Sequence, residues 1–225
     1  MSFLLSQCVG LVTADTAEAA QYYMDFFGME PEEVELIVAL TAGPLTLFID
    51  PGHCRPPVFE LVTPDLDIAR EIVAHFEFQE IVWRGAGQSC LVRDPFGIVF
   101  NIHEDRSLFL PQGLEEPPQS FIKPSIGAFL PEPQVAASFY SQLLESADYR
   151  LPDGSYAIDS GSMRLRFKQG DHTTPVIWVK SSAPVAKLVK SGCKSGPEGI
   201  FVDPYGVSWI REMPVKAKKA VCNPL

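Results

Sequence analysis

Two short strings, Asp94-Pro95-Phe96-Gly97 and Asp203-Pro204-Tyr205-Gly206, stand 109 residues apart in this 225-residue chain. Proline fixes φ at about −65° at the start of such a turn, the aspartate can bond turn amides, and glycine accepts a positive φ at the exit. The flanks repeat as well: Cys90-Leu91-Val92-Arg93 and Ile98-Val99-Phe100 answer Ile200-Phe201-Val202 and Val207-Ser208-Trp209. A second marker is independent of the turns. Gly10 with Tyr22-Tyr23 is answered by Gly127 with Phe139-Tyr140, a spacing of 117. Two nearly equal spacings, far above the period of roughly 20 to 50 residues that marks a solenoid, mean one domain built twice.

The length suits two small domains, each able to bury a core of its own. The expected boundaries are 1–108 for the first, 109–123 for a linker with Pro111, Gly113, Glu115, Glu116, Pro117 and Pro118, 124–214 for the second, and 215–225 for a tail. Five scattered cysteines (Cys8, Cys54, Cys90, Cys193, Cys222) show no CxxC spacing, and residues 1–5 carry no basic leader. With no apolar run of membrane-spanning length, these features predict a soluble protein in the reducing cytoplasm. Residues 1–110 hold 5 Arg, no Lys and 17 Asp or Glu, a net charge of −12, whereas the remainder carries +2. Nucleic acid is disfavoured, because phosphate contacts need a basic face. An acidic first half serves solubility and also suits a cationic ligand or a basic partner.

Each half contains the same order of elements twice. A strand at 4–13 leads to Asp15 and Glu18, spaced as a helix cap, then to a helix from Thr16 whose apolar face is Ala19, Tyr22, Tyr23, Phe26 and Phe27 and which Gly28 ends. Strands follow near Glu30, at 34–40 and at 45–50. The second unit has a strand at 58–63, a helix through Leu66, Ala69, Ile72, Val73 and Phe76, and strands at 81–84, 89–93 and 98–103. In the other half the strands are placed at 126–130, near Tyr149, and at 155–159, 163–167, 176–180, 200–203 and 207–212, with a short one near Lys194. Helices are placed at 134–144 and 184–190. The result is an α+β fold, each domain two βαβββ units forming a curved, mostly antiparallel sheet around a concave pocket.

Paired βαβββ units, an aromatic pair late in the first helix, and Asp-Pro-aromatic-Gly before the last strand together resemble the vicinal oxygen chelate superfamily, which includes glyoxalase I, the extradiol dioxygenases and bleomycin-resistance proteins. The resemblance covers nearly the whole chain as tandem domains, and the segment from Asp203 to Trp209 is most similar to the glyoxalase-like or bleomycin-resistance-like branch. The metal enzymes of this superfamily place His or Gln on the first strand of a unit and Glu on the last, four residues past the turn glycine. Carried over, the resemblance puts Cys8 on the first strand, with Gln7 if the register slips by one, and Asn101 on the last. The two remaining positions fall near Thr46 and Val58. In the second half the matches are Ser125, Arg164, Val176 and Ile210. A divalent ion needs three or four convergent His, Asp, Glu or Cys donors, and neither set supplies them.

His103 and Glu212 lie two residues past the last-strand matches and so on the same face of their sheets. A shifted metal site would use Cys8 or Gln7, Glu60 and His103. His53, His75 and His172 are expected at the surface, Gly85-Ala86-Gly87 as a hairpin turn, and Cys8 as a packed thiol without a histidine base. No GxSxG elbow, phosphate-cradling glycine loop or HExxH helix occurs.

The leading expectation is a metal-free protein that sequesters or senses a small organic compound, cationic or aromatic, with no cofactor, through Cys8, Thr46, Asn101, His103, Ser125 and Glu212. The alternatives are a metal-dependent lyase, isomerase or dioxygenase with the shifted site, and an acidic protein-interaction module. Internal pairing of the two domains makes a monomer sufficient, with a homodimer as the other possibility.

Overall fold

In a computed structural model of the protein, the residues described are 3–34, 37–42, 45–53, 57–88, 90–109, 125–161, 163–180, 191–196 and 199–212. The expected helix at 184–190, the tail at 215–225 and nearly all of the linker lie outside them.

The first unit is β1 (Leu4–Thr13), α1 (Thr16–Phe27), β2 (Glu30–Val34), β3 (Ile37–Ala42) and β4 (Leu45–Pro51). The second is β5 (Val58–Thr63), α2 (Leu66–His75), β6 (Gln79–Trp83), β7 (Cys90–Arg93) and β8 (Val99–Glu104), followed by a 3-10 turn at Ser107–Phe109. The second domain comprises β9 (Ser125–Leu130), α3 (Pro133–Leu143), β10 (Asp148–Arg150), β11 (Tyr156–Ser160), β12 (Met163–Gln169), β13 (Thr174–Lys180), β14 (Lys194–Ser195), β15 (Ile200–Val202) and β16 (Ser208–Glu212).

Local chemistry accounts for the helix ends. The Asp15 carboxylate accepts the Glu18 amide at 2.9 Å, and Gly28 closes α1 at φ 67°. Asp65 caps α2 by accepting the amides of Asp67 and Ile68. No side chain caps α3, which begins instead with Pro133, whose fixed φ suits a first helical turn. One expected strand is displaced: Val34 ends β2 and pairs with Ile37 at the start of β3, so the expected strand at 34–40 is divided between two antiparallel strands.

The sheets repeat one topology, β2-β3-β4-β1-β5-β8-β7-β6 and β10-β11-β12-β9-β13-β16-β15-β14. Within each unit the first and last strands run parallel, as a helical crossover requires, and every other neighbouring pair, including β1 with β5 and β9 with β13, is antiparallel. None of the described helices is long and apolar enough to cross a membrane.

The domains are joined by their turns, crosswise. Asp94 accepts the amides of Phe96 and Ile98 with one oxygen and the hydroxyl of Tyr140, from α3 of the other domain, with the second. Asp203 likewise accepts the amides of Tyr205 and Val207, both at 2.9 Å, then Trp209 Nε1 at 2.8 Å and the hydroxyl of Tyr23, from α1, at 2.7 Å. Aromatic rings surround both junctions: Tyr22, Tyr23 and Phe27 meet Tyr205 and Trp209, while Phe139 and Tyr140 meet Phe76, Phe78, Phe96 and Phe100. Thr173 Oγ1 donates to the Phe96 carbonyl at 2.7 Å, and the Leu5 amide donates to Ser160 Oγ at 3.0 Å.

The two domains therefore share their main core, with a smaller buried cluster of Phe129, Val176, Trp178 and Ile200 apart from it. One buried cluster runs from Phe3 through Phe100 and Tyr140 to Trp209. The apolar face of α1 is wider than its own sheet can cover, and its outer rings are buried by the other domain.

Candidate ligand-binding cup

Along β1 the residues facing the helices are buried, while Ser6, Cys8 and Gly10 face the opposite, concave side and are only half-buried. Thr46 and Phe48 on β4, Val58 and Glu60 on β5, and Asn101 on β8 share that face and that intermediate exposure. Cys8 pairs with Thr46 across the parallel β1/β4 ladder, and Glu60 pairs with Asn101 across β5/β8.

A bulge brings these two pairs together. Between Leu5↔Leu61 and Val9↔Phe59, three residues of β1 (Ser6, Gln7, Cys8) stand opposite the single residue Glu60. The Cys8 amide donates to Ser6 Oγ at 3.1 Å, which holds the bulge. Asn101 donates from Nδ2 to Glu60 at 3.1 Å and accepts the Cys90 amide at 3.2 Å, so both ends of its amide are engaged. Burial pushes the Cys8 thiol up to about 11, and the Glu60 charge adds to the rise although the Ser6 hydroxyl opposes it. Cys8 thus keeps its proton, half-buried and lying against Glu60.

The corresponding face of the second domain is filled by its own side chains. Ser125, Arg164, Arg166, Val176, Trp178, Ser208 and Ile210 occupy it, and Arg166 and Trp178 are each only 5% exposed. The Arg166 guanidinium lies 4.8 Å from the Trp178 ring centroid and 2.9 Å from Asp153, Arg164 pairs with Asp159 at 2.8 Å, and Phe129 stacks on Trp178. Gly127 is required by the close approach of the β12 backbone. It sits at φ 154°, and a Cβ there would lie 1.8 Å from the Arg166 carbonyl oxygen. At one end of this face a cleft of about 450 Å³ stays open, lined by Phe129, His172, Thr174, Ile200, Val202 and Ser208 among others.

The six residues singled out in the sequence thus fall into two places. Cys8, Thr46 and Asn101 meet in the first cup, and exposed His103 lies farther along the same face, opposite Val62. Ser125 is buried in the second cup, and Glu212 ends β16 opposite Lys180. On β5 the position beside this site is Glu60, with Trp178 on β13 as its counterpart, two residues beyond Val58 and Val176. The two-residue alternation already placed Glu60 on this face; the bulge that aims Cys8 at it left no mark in the sequence.

No family model matches the sequence, and no curated protein is detectably similar to it. Solved structures do match over almost the whole chain. The 2,2',3-trihydroxybiphenyl 1,2-dioxygenase of Sphingomonas wittichii strain RW1 is 13% identical with a TM-score of 0.56, covering 95% of this chain and 91% of its own. A variant of 4-hydroxymandelate synthase from Streptomyces coelicolor is 11% identical with a TM-score of 0.56, covering 93% and 92%. A variant of homoprotocatechuate 2,3-dioxygenase from B. fuscum is 14% identical with a TM-score of 0.53, covering 92% and 70%. The chain has the vicinal oxygen chelate fold.

In this chain the donors present do not fit a divalent ion. The first cup offers a neutral thiol, a hydroxyl, one carboxylate and an amide whose oxygen already accepts a backbone N–H. The second offers two hydroxyls, two guanidinium groups, an indole and two alkyl chains. Among the described residues no three His, Cys, Asp or Glu side chains converge, whereas such an ion needs three or four deprotonated donors.

Proposed function

We propose that the protein binds a small organic molecule in the cup of its first domain without a metal ion, sequestering or sensing it, and does so as a monomer in the cytoplasm. The observation that carries this reading is the contrast between the duplicated faces: one is packed with its own side chains, and the other leaves Cys8, Thr46, Phe48, Val58, Glu60 and Asn101 half-exposed around a concave floor. Apolar walls with a few fixed polar groups are what small-molecule sites generally consist of. The free thiols of Cys8, Cys90 and Cys193 support a reducing setting. The crosswise turns support a monomer, since each domain already covers the other's aromatic face. Light scattering should accordingly give the mass of a single chain, and an obligatory dimer would remove that part of the reading.

A thermal-shift screen of small organic compounds tests the binding role, because a ligand at 100 times its Kd stabilises the native state by about 2.7 kcal/mol. Hits should be lost in Phe48→Arg, which places in the first cup the side chain that fills the second. Shifts that persist in this variant would move the site elsewhere.

A second reading is a metal-dependent lyase, isomerase or dioxygenase with a shifted site. It draws on Cys8 lying against Glu60 and on the dioxygenases among the similar structures. Metal analysis of the purified chain should find well below one equivalent of Fe, Mn, Ni or Zn. Near-stoichiometric metal that disappears in His103→Ala would establish the second reading instead.

A further inference from the structure

The duplicated cups provide an internal comparison, since the same register positions carry different chemistry. On the strand beside the first, Thr46, Phe48 and Asp50 of β4 stand where Arg164, Arg166 and Lys168 stand on β12. Across the floor, Glu60 stands where Trp178 does, and Asn101 where Ile210 does. The second cup therefore contains a cation of its own: the Arg166 guanidinium, almost fully buried over an aromatic face and compensated by Asp153. The first cup has the opposite balance. Its strand β4 contributes no Lys or Arg, its floor carries a carboxylate, and among the described residues Glu60 forms no ion pair.

We propose that the first cup takes a protonated primary or secondary amine, with Glu60 as its counter-ion, Asn101 fixing the carboxylate, and Phe48 and Val58 flanking the amine's apolar body. This rests on the reading that this cup is where a ligand binds. A carboxylate has about four lone-pair sites, of which Asn101 Nδ2 and the Cys8 thiol use two, leaving the others for an ammonium. Partial burial of the floor strengthens the attraction between ammonium and carboxylate relative to bulk water, and the Phe48 ring adds to it. Gly10, between Phe48 and Val58, presents no side chain over the floor. The net charge of −12 on residues 1–110 steers cations toward this half.

Calorimetric titration of the full chain at pH 7 with benzylamine hydrochloride, benzyl alcohol and sodium benzoate compares a cation, a neutral molecule and an anion of nearly one shape. Benzylammonium should bind at least about tenfold more tightly than benzyl alcohol, a difference of about 1.4 kcal/mol, with benzoate the weakest. That preference should vanish in Glu60→Gln and persist in Glu60→Asp, with circular dichroism confirming that both variants fold. Equal affinity for cation and alcohol, tighter binding of benzoate, or a cation preference unaltered in Glu60→Gln would overturn the amine assignment while leaving a cup that binds neutral or anionic compounds. Binding of none of the three, together with an empty compound screen, would overturn both readings.

Discussion

Replacing Asp203 with alanine should destabilise the folded chain by roughly 3–5 kcal/mol, near the upper end for a single substitution. The side chain is buried, and its two oxygens accept four donors: the Tyr205 and Val207 amides, Trp209 Nε1 and the Tyr23 hydroxyl. Alanine leaves all four without their acceptor, and each buried donor so stranded costs about 1–3 kcal/mol before relaxation and water entry reduce the sum. Tyr23→Phe removes only the link between domains and should cost about 1–2 kcal/mol, because Trp209 still satisfies the same oxygen. Urea denaturation followed by both far-ultraviolet circular dichroism and tryptophan fluorescence is the check. With one core running through both domains, the two probes should move together in wild type. A loss below about 1 kcal/mol for Asp203→Ala would mean that the crosswise turns do not hold the domains together.

The second large effect is a pH dependence centred on Asp94. Burial raises its carboxyl to about 6, against opposing hydrogen bonds from Tyr140 and from the Ile98, Phe96 and Gly97 amides. A folded-state value above the unfolded one means that the native chain binds the proton more tightly. The stabilisation is therefore complete below pH 3.8 or so and is lost as pH rises through about 6. At neutral pH the ionised, buried carboxylate opposes folding by up to about 3 kcal/mol relative to mild acid. Asp203 is raised by burial as well and acts in the same direction. Asp153, held low by Ser155 and Arg166 despite burial, opposes it by losing stability as pH falls. The clean measurement is thus a difference. Unfolding free energies of wild type and Asp94→Asn, compared from pH 4.5 to 7.5, should diverge, with the variant gaining on wild type toward neutrality. Asparagine keeps an oxygen for the Phe96 and Ile98 amides and presents an N–H toward Tyr140. Parallel profiles would show that Asp94 does not titrate in this window.

Much of the fold was legible because its signals are local. Asp15 and Gly28 bound α1 through the short-range geometry of caps, and the two-residue alternation in β1, β5 and β8 marks one buried face whatever lies beyond the sheet. The hairpin between β2 and β3 was missed by a few residues, because Val34 and Ile37 are equally apolar and only the pairing assigns them to different strands. The site was partly legible. Cys8, Thr46 and Asn101 were reached by matching positions and Glu60 by strand alternation, whereas the bulge of β1 opposite Glu60 is seen only in the register of the paired strands. The fullness of the second cup was hidden altogether. Arg166 and Trp178 are ordinary residues of alternating strands until the sheet's curvature places one over the other.

The paired Asp-Pro-aromatic-Gly turns and the paired aromatic helices establish, from sequence alone, that one architecture occurs twice, since turn and helix chemistry depend on neighbours a few residues away. Sequence also supplies every member of the locks between domains: Tyr23, Asp94, Tyr140 and Asp203. What it leaves open is who meets whom. Each tyrosine bonds the aspartate of the other half, across 180 and 46 residues of chain respectively. Each helix has a wider aromatic face than its own sheet covers, and burial of the excess rings selects the crosswise arrangement. Only tertiary packing decided which cup is filled and which is open. That outcome depends on whether a side chain such as Arg166 finds a ring and a carboxylate within reach, and no spacing along the chain records it.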